Sequence, residues 1–573
     1  MVKLTAAATA AIPRTIIFAL TLVYGLAGLF QRDPWKNEDA IGFGVMWNMH
    51  HGNIQDWLIP HLSGRSLSLG APLPYWLGTI SMELFGQFIG LSNAARLYSA
   101  FCFFTAALAI WYATYLLGRR NEVQPMALAL GGQPKSKNYG MTLADGALLI
   151  FLACVGLAQH AHETTPMMAQ LMGISILLYG IVRGLDRPRQ GGLWAGLGIA
   201  ILLLSSNLIL GILLILSTAL CGTLCKIKLR IHWLFGSISL TCLGFVIWPL
   251  LWYCFNLNQD IRNSAIESWI NWPTMQAIPS IHSLSFLSVN FWLYAWPVWP
   301  LAAISLLHWV RQKQSGLWRA PHLLIPLSLF LGGLLYTIFR SQANEHDLVI
   351  LIPPLSILAA FSLPVLKRGL ISFIDWLAMF SFTAIGLCIW IIWLAKITGF
   401  PESTANNVAR YLPGFQGQFN WVTFIVAIII TGLWGSVVRW RTSRAPKEIW
   451  RCLIISASGT TLMWVLLMTL WLPTINYAKT YRFVAERLEK ATPKNNNACI
   501  DTSNLGLAQL ASFDYFTSLP LRDDPSCPLM LTHSQSEARV YADLNKKKVS
   551  LLWEDRRASD RDERLRLYQV SPE

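Results

Sequence analysis

The sequence IPRTIIFALTLVYGLAGLF at residues 12–30 is an apolar run that ends shortly before a polar segment containing Glu38 and Asp39. A helix of about 20 apolar residues is long enough to cross the roughly 30 Å hydrocarbon core of a bilayer. Comparable apolar runs recur along the chain until residue 475. The sequence is therefore predicted to fold as an all-α polytopic membrane protein over most of its length.

The composition supports this prediction. Of the 573 residues, 54% are hydrophobic and 13% are charged, and the mean hydropathy is +0.44. Soluble proteins carry about 25% charged residues. The composition therefore excludes a water-soluble enzyme, a disordered protein and a disulfide-rich secreted module. The net charge of +15 indicates membrane topology and contact with anionic lipid rather than nucleic acid.

Hydropathy windows of about 19 residues predict about thirteen transmembrane helices. They lie at residues 12–30, 94–117, 141–158, 166–184, 191–208, 209–225, 233–254, 291–310, 322–340, 348–366, 371–395, 421–440 and 452–474. A further apolar segment at 72–91 contains Glu83 and begins in a proline-rich stretch. We interpret it as an interfacial or re-entrant helix rather than a crossing.

Basic residues indicate the orientation of these spans. Pairs such as Arg119/Arg120 and Arg187/Arg189 lie in alternate short loops, and short loops rich in Lys and Arg stay in the cytosol. With a cytosolic N-terminus and thirteen crossings, the C-terminus is predicted to lie outside the cytosol.

The last hundred residues differ in character from the rest of the chain. Charged residues become frequent and short strand-like runs replace the apolar runs. This change predicts a small extracytosolic α/β domain at 476–573 after a transmembrane domain at 1–475, whose segment 31–93 is an extracytosolic juxtamembrane loop. Cys499 and Cys527 both lie in the final domain, where an oxidising compartment permits a disulfide. The sequence leaves open whether they pair.

Polar and ionisable residues are concentrated in the segments 31–71, 159–165, 255–290 and 340–347. All four are predicted to lie on the non-cytosolic side, whereas the cytosolic loops are merely basic. Carboxylates can act as general bases, and isolated arginines suit the binding of a phosphate. This asymmetry predicts that the chemistry takes place at the outer face of the membrane.

Three acids are the candidate catalytic residues. Glu38 and Asp39 begin a helix-like stretch, for which a solvated helix N-terminus is the simpler explanation. Glu163 is harder to explain structurally, because it lies in a very short turn directly after His160 and His162. The two histidines are weak candidates for metal ligands, since a short polar turn is more common than a metal half-site.

Several short segments resemble, in their order, a family of bacterial membrane glycosyltransferases that includes protein O-mannosyltransferases and the lipid A aminoarabinose transferase. Residues 37–49 are similar to the acidic-pair segment after the first span of that family, and 56–64 resemble its GDW-x-x-P-x-L-x-G stretch. Residues 72–77 follow in the expected order, and 163–166 lie where the family has its second acid. Residues 346–354 resemble the segment that enters a late span.

The resemblance implies a GT-C-like fold and a hexosyl or pentosyl transferase that uses a polyprenyl-phosphate sugar, such as one carried on undecaprenyl phosphate. It implies an inverting transfer to lipid A, another glycan or a protein at the periplasmic face of the bacterial inner membrane. The family's acid pair falls on Glu38 and Asp39, and its second acid falls on Glu163. The family's Glu-Lys-Pro-Pro-Leu stretch is Leu-Gly-Ala-Pro-Leu at 69–73, so neither the metal ligands nor the phosphate-binding residues can be carried over from it.

Position and charge alone suggest Arg262, Arg340 and His346 as binding residues for the donor phosphate. No cofactor is certain, although a divalent metal is compatible with the sequence. The expected partners are the lipid donor, a glycolipid, glycan or protein acceptor, and membrane lipids, with no nucleic acid. A polytopic transporter or lipid flippase is the competing function, and a non-catalytic assembly subunit is a third.

Overall fold

Helices account for most of the chain before residue 480. The computed structural model describes residues 4–571 except 64, 67–69, 129–130, 225–230, 271–274, 277, 312–319, 416, 444–447, 494–498, 534–547 and 561. The helices of the first part are α1 (Arg14–Leu26), α2 (Glu38–His51), α3 (Ile54–Leu58), α4 (Leu73–Ile89), α5 (Leu91–Gly118), α6 (Ser136–Leu152), α7 (Leu157–His160), α8 (Pro166–Asp186), α9 (Pro188–Ser205) and α10 (Leu208–Leu224).

The second part of the helical region continues in the same way. Its helices are α11 (Ile231–Cys254), α12 (Gln259–Ile270), α13 (Ile281–Tyr294), α14 (Val298–Arg311), α15 (Pro321–Phe339), α16 (Ile352–Ala360), α17 (Arg368–Thr398), α18 (Glu402–Tyr411), α19 (Trp421–Ser443), α20 (Arg451–Leu470) and α21 (Leu472–Lys479). A 3-10 turn at Glu345–Leu351 leads directly into α16.

The chain is a multi-pass membrane protein, but the predicted number of spans is not confirmed. Each predicted span contains a helix. Within the described ranges, nine helices are long and apolar enough to cross a bilayer, or ten if α13 and α14, bent by 95°, form one span. Helices α6 and α10 have 17 residues each, and about 17 residues span only about 26 Å. The segment predicted as interfacial forms α4, which is not among these candidate spans.

Small residues allow close packing between helices α8 and α9. A Cβ added to Gly191 would lie 2.2 Å from the Cα of Gly184, and one added to Gly180 would lie 2.2 Å from the backbone nitrogen of Ala195. Such contacts are typical of membrane helices, where van der Waals packing rather than the hydrophobic effect holds helices together. Larger side chains at these positions would separate the two helices.

The C-terminal region contains the predicted α/β unit. Five strands, β3 to β7, form one sheet in the order β4-β3-β5-β7-β6, in which β3 is parallel to β4 and β5 while β7 is antiparallel to β5 and β6. Cys499 and Cys527 form a disulfide beside this sheet. The strands are β3 (Ile500–Asp501), β4 (Leu521–Arg522), β5 (Leu529–His533), β6 (Lys548–Arg556) and β7 (Arg564–Ser571), packed with α22 (Arg482–Ala491) and α23 (Leu507–Phe516).

This C-terminal unit contacts the segment that follows the first span. The rings of Phe43 in α2 and Tyr515 in α23 meet edge to face at 4.7 Å. Arg65, in the short hairpin of β1 (His61–Leu62) and β2 (Arg65–Ser66), donates to Asp523 at 2.9 Å. The C-terminal unit and α2 therefore lie at the same end of the helical bundle, as the predicted topology requires.

Candidate active site

Asp39 joins the start of α2 to the turn between α7 and α8. Its side chain is buried, with 1% of the residue exposed. Its Oδ1 accepts hydrogen bonds from the backbone nitrogen of Thr164 at 2.7 Å and from the Thr164 hydroxyl at 2.8 Å, and its Oδ2 accepts one from the backbone nitrogen of Trp35 at 3.1 Å. Asp39 therefore fixes the position of α2 relative to Thr164 and its neighbour Glu163.

A glycine in α2 makes this contact possible. A Cβ added to Gly42 would lie 1.9 Å from the carbonyl oxygen of Thr164, far closer than atoms can approach. The absence of a side chain at Gly42 thus allows the backbone of the turn to pack directly on the helix. The sequence Glu-Asp-Ala-Ile-Gly at 38–42 thus provides both the acid that binds Thr164 and the glycine that leaves space for its backbone.

Two buried arginines balance the charge of Asp39. An Nη2 atom of Arg32 lies 3.6 Å from the Asp39 carboxylate, and an Nη2 atom of Arg96 lies 3.9 Å from it. Arg96 also donates to the carbonyl oxygens of Arg32 and Asp33, at 2.9 and 2.8 Å. A buried charge is tolerated when it has opposite charges and hydrogen-bond partners, and Asp39 has both.

Glu163 is held by three donors. Its Oε2 lies 3.1 Å from His160 Nδ1 and 3.0 Å from His346 Nε2, and its Oε1 accepts from Gln159 at 2.9 Å. The other ring nitrogen of His160 lies 3.3 Å from the carboxylate of Glu345. We call Asp39, Glu163, His160 and His346 the closed cluster, because their polar atoms are engaged with one another or with the surrounding chain.

The pKa values of this cluster follow from its pairing. Burial lowers the pKa of His160, but the carboxylates of Glu163 and Glu345 outweigh that effect and raise the pKa to about 9. Burial raises the pKa of Glu163, but the histidines on both sides outweigh it and hold that pKa well below its usual range. An imidazolium and a carboxylate therefore face each other at neutral pH.

His162 is turned away from Glu163. Its two ring nitrogens lie 2.8 Å from the carbonyl oxygen of Ala158 and 2.9 Å from that of Tyr24, and its ring stacks on Trp464. Burial lowers its pKa to about 4, so the ring is neutral and donates to only one carbonyl. His162 connects the turn to α1 and α20 instead of serving the acids.

Among the residues that the structure describes, His160, Glu163 and His346 could together hold a metal ion. One ligand atom from each lies within 4.8 Å of the other two. Two imidazoles and a carboxylate are a typical donor set for zinc with an open position. The donor set fits a divalent metal, which when bound would polarise an oxygen atom or lower the pKa of a bound water. The histidine that joins His160 is His346, not His162.

Several polar groups of this region have unused hydrogen-bonding capacity; besides the Nε atoms of Arg32 and Arg96 next to Asp39, they belong to Arg340, Tyr75 and Glu38. Arg340 Nη1 donates to Asp347 at 3.0 Å, but its Nε is buried and has no partner among the described residues. The hydroxyl of Tyr75 in α4 is likewise buried without a partner there. Glu38 is half-buried and accepts no hydrogen bond from the described part of the chain. We call Glu38, Tyr75 and Arg340 the open cluster.

Electrostatic interactions connect the members of the open cluster. Burial lowers the pKa of Arg340, but the charge of Asp347, the Tyr336 hydroxyl and the charge of Glu38 raise it above its ordinary value. Burial, followed by the charge of Glu38, raises the pKa of Tyr75. Glu38 is therefore close enough to influence both groups. The three together present a carboxylate, a hydroxyl and a guanidinium with free atoms, as expected where a polar substrate binds.

The predicted phosphate-binding residues occupy different surroundings. Arg340 belongs to the open cluster, whereas His346 is a partner of Glu163 in the closed cluster. Arg262 in α12 lies over the ring of Tyr253 at 4.9 Å. Among the described residues it makes no ion pair with Glu38, Asp39 or Glu163. The structure therefore brings Arg340 and His346 to the acids but leaves Arg262 apart.

Sequence reasoning missed several residues of the site. Arg32 and Arg96 were not recognised as partners of Asp39, although an arginine within an apolar span, as Arg96 is, signals a buried charge that needs a partner. Tyr75 carried no sequence signal of its own. Gln159 was not singled out, although it links Glu163 to Lys479, which donates to the Gln159 side-chain oxygen at 3.2 Å.

Comparison with solved structures identifies the fold. The crystal structure of ArnT from Cupriavidus metallidurans bound to undecaprenyl phosphate superposes with a TM-score of 0.62, and its apo state with a TM-score of 0.60. In both cases the sequence identity is 14% and 97% of each chain is covered. An apo oligosaccharyltransferase from Archaeoglobus fulgidus gives a TM-score of 0.42 at 11% identity, covering 92% of this chain and 70% of the other.

No protein-family model matches the sequence, and no curated protein matches it. The similarity to ArnT therefore concerns the fold. It confirms the GT-C-like architecture that the sequence resemblance implied, with a small C-terminal sheet after the helical region.

Proposed function

We propose that this chain is an integral membrane glycosyltransferase that moves a sugar from a polyprenyl-phosphate donor to an acceptor hydroxyl with inversion. The fold it shares with ArnT, which has been crystallised with undecaprenyl phosphate, supports this assignment. The observation that carries the proposal is the open cluster, in which the charge of Glu38 raises the pKa of both Arg340 and Tyr75 and these two residues keep buried polar atoms without partners among the described residues.

Glu38 is the general base in this scheme. It removes the proton of the acceptor hydroxyl while that oxygen attacks the anomeric carbon from the side opposite the phosphate. The bond between the anomeric carbon and the phosphate oxygen breaks, and the polyprenyl phosphate leaves with the electron pair. General base catalysis of this kind contributes about 10²- to 10⁴-fold to the rate. Arg340 stabilises the negative charge that develops on the leaving phosphate, through donors that Asp347 does not use.

Asp39 and Glu163 have a supporting part in the same reaction. All the oxygens of Asp39 accept hydrogen bonds or face a guanidinium, so it holds α2 and hence Glu38 in position. Glu163 orients the acceptor, with His160 and His346 keeping its carboxylate ionised. His346 thus stabilises the charge of Glu163 rather than binding the donor phosphate. Arg262 would bind the donor only if α12 moved towards the acids.

The location and the acceptor complete the proposal. We place the chain in the bacterial inner membrane, with the acids and a C-terminal domain at 476–573 facing the periplasm and the transmembrane domain at 1–475. The contact between α2 and α23 supports a common side for the acids and that domain. The acceptor is a hydroxyl of lipid A, another glycan or a protein. A transporter is less well supported, because the fold is that of ArnT.

Deletion of the gene followed by complementation tests this function. Mass spectrometry of the cell-envelope lipids and glycoproteins should reveal the loss of one sugar mass in the deletion strain. The wild-type gene should restore it, and Glu38→Gln should not. Glu83→Gln is the matched control, because Glu83 is an exposed acid of α4 paired with His50. An unchanged envelope after deletion, or full restoration by Glu38→Gln, would refute the proposal.

A further inference from the structure

A cavity lies apart from the open and closed clusters. It has a volume of about 460 Å³ and is bounded by the ends of α17 and α20, the start of α19 and the helix α21. Aromatic, amide and hydroxyl side chains line much of it, among them Trp393, Phe415, Gln418 and Tyr477. We call it the Lys396 cavity, because Lys396 is the one charged residue among the described residues that line it.

Lys396 is held in the cavity without an acid. Its Nζ donates to the Thr474 hydroxyl at 2.6 Å. It lies 5.0 Å from the ring centre of Trp471 and 5.3 Å from that of Phe415. No carboxylate of the described chain lies within ion-pair distance of this ammonium. An ammonium has three donors, so two remain for a ligand, and the site has a single uncompensated positive charge.

An exposed aromatic rim adjoins the cavity. The ring of Phe419 lies 5.9 Å from that of Trp393, which lines the cavity, and the ring of Trp421 lies 4.9 Å from that of Phe419. Phe419 and Trp421 are 41% and 68% exposed. Exposed aromatic residues at the ends of membrane helices are typical of the level of the lipid headgroups. Because Trp421 begins α19 and Lys396 lies near the end of α17, the cavity opens at that level.

We propose that the Lys396 cavity binds the phosphodiester headgroup of an anionic membrane phospholipid. A phosphodiester carries one negative charge at neutral pH, which matches the one cation. The aromatic rim suits the glycerol and acyl portion of a lipid, which a free anion lacks. The lipid phosphate accepts the two free donors of Lys396, and the exposed amide of Gln418 can donate to a headgroup oxygen.

The cavity is connected to the proposed active site by α21. Asn476, which lines the cavity, accepts from the backbone nitrogen of Asp33 at 2.8 Å and from the Trp35 indole at 3.0 Å. Lys479, at the end of the same helix, donates to Gln159 beside Glu163. A bound lipid would therefore stabilise the helix that supports the segment before α2. The inference does not depend on the proposed function, since lipid binding is measured without turnover.

Native mass spectrometry of the full-length protein released from nanodiscs tests the inference. The probes are phosphatidylglycerol and monoglucosyl diacylglycerol, a lipid without phosphate. We expect the wild-type protein to retain phosphatidylglycerol, Lys396→Gln to bind it about tenfold more weakly through loss of a charged hydrogen bond, and Lys396→Arg to bind it nearly as well. Lys490→Gln, at an exposed lysine of α22, is the matched control and should behave as wild type.

Several binding results would overturn the inference. One is retention of phosphatidylglycerol by Lys396→Gln that is as strong as its retention by Lys490→Gln. Another is retention of the lipid without phosphate by the wild-type protein that is as strong as its retention of phosphatidylglycerol. A further one is displacement of the phospholipid by inorganic phosphate at equal concentration. Preference of the site for undecaprenyl phosphate over phosphatidylglycerol would also refute a phospholipid. If Lys396→Gln does not fold, a photoactivatable phosphatidylglycerol on the wild-type protein decides instead. Crosslinks to residues 393–423 or 469–477 are expected, and crosslinks elsewhere only would refute the proposal.

Discussion

The closed and open clusters contain similar chemical groups but differ in how completely those groups are hydrogen-bonded. In the closed cluster, the carboxylates of Asp39 and Glu163 each accept three hydrogen bonds or more from named donors. In the open cluster, Glu38 accepts none from the described chain, and Tyr75 and Arg340 keep buried atoms without partners.

This difference in hydrogen bonding suggests a structural role for the acids of the closed cluster and a catalytic role for the acid of the open cluster. A carboxylate whose lone pairs are occupied by fixed donors is a poor general base but a good anchor, whereas a carboxylate with free lone pairs can take a proton. We therefore propose opposite parts for adjacent residues of α2: Asp39 attaches the helix to the turn at Thr164, whereas Glu38, whose charge acts on Arg340 and Tyr75, is the proposed base. Charge alone would not distinguish them.

The largest expected effect is on stability, from Asp39→Asn. This change leaves Arg32 and Arg96 buried without their counter-charge, and breaking a buried ion pair typically costs about 3–5 kcal/mol. Thermal unfolding followed by tryptophan fluorescence in detergent measures the loss. Glu38→Gln removes the same charge one residue earlier and should change the free energy of unfolding by less than about 0.5 kcal/mol. Similar unfolding temperatures for the two variants would contradict the claim that Asp39 stabilises the fold and Glu38 does not.

The next effect is on transfer, from Arg340→Gln. Removing a donor that stabilises developing charge typically lowers kcat by about 10²- to 10³-fold. Because Arg340 also pairs with the buried Asp347, the double variant Arg340→Gln/Asp347→Asn removes the orphaned charge and should recover stability but not transfer. Arg262→Gln serves as the control and should retain most activity. Equal losses for Arg262→Gln and Arg340→Gln would contradict the assignment of Arg340 to the open cluster.

The sequence predicts those parts of the two clusters that depend on neighbouring residues, and it does not predict contacts between residues far apart in the sequence. The acids Glu38, Asp39 and Glu163 were found from local signals, since each lies just after an apolar run. The pairing of His346 with Glu163 spans 183 positions, and no local pattern reports it. Asp39 is paired with Arg96, which lies far along the sequence in α5. The different roles of the adjacent acids Glu38 and Asp39 therefore cannot be predicted from the sequence around them. The predicted count of thirteen spans is not confirmed, because nine or ten helices among the described residues are long and apolar enough to cross a bilayer.

A smaller effect is expected from pH, measured on the metal-free protein with a chelator present. The pKa of His160 is raised in the fold, so its contribution to stability is complete below the ordinary value of 6.5 and is lost as the pH rises through about 9. The lowered pKa of Glu163 adds a contribution that is lost only as the pH falls below its ordinary value of 4.5. Stability should therefore fall between pH 6.5 and 9 by roughly 3 to 4 kcal/mol, at about 1.4 kcal/mol per pKa unit.

The variant His160→Gln should remove this alkaline loss while Glu38→Gln keeps it. Both are compared with wild type by unfolding temperature over the same pH range. An alkaline loss that persists unchanged in His160→Gln would show that the closed cluster is not its origin.

The smallest effect, and the sharpest separation of the two clusters, is expected from Tyr75→Phe. The Tyr75 hydroxyl is buried and has no partner in the described chain, so its removal costs no protein hydrogen bond and should leave the unfolding temperature unchanged or slightly higher. If the hydroxyl donates to the substrate, its loss should weaken transfer about 2- to 12-fold, the equivalent of about 0.5–1.5 kcal/mol. Tyr481→Phe is the control, because the Tyr481 hydroxyl donates to Glu563 within the C-terminal unit. This variant should be less stable but should show no specific loss of kcat/KM.

A hydroxyl that contributes to transfer but not to stability has a role in the reaction. A loss of stability in Tyr75→Phe with normal transfer would instead assign a structural role to Tyr75.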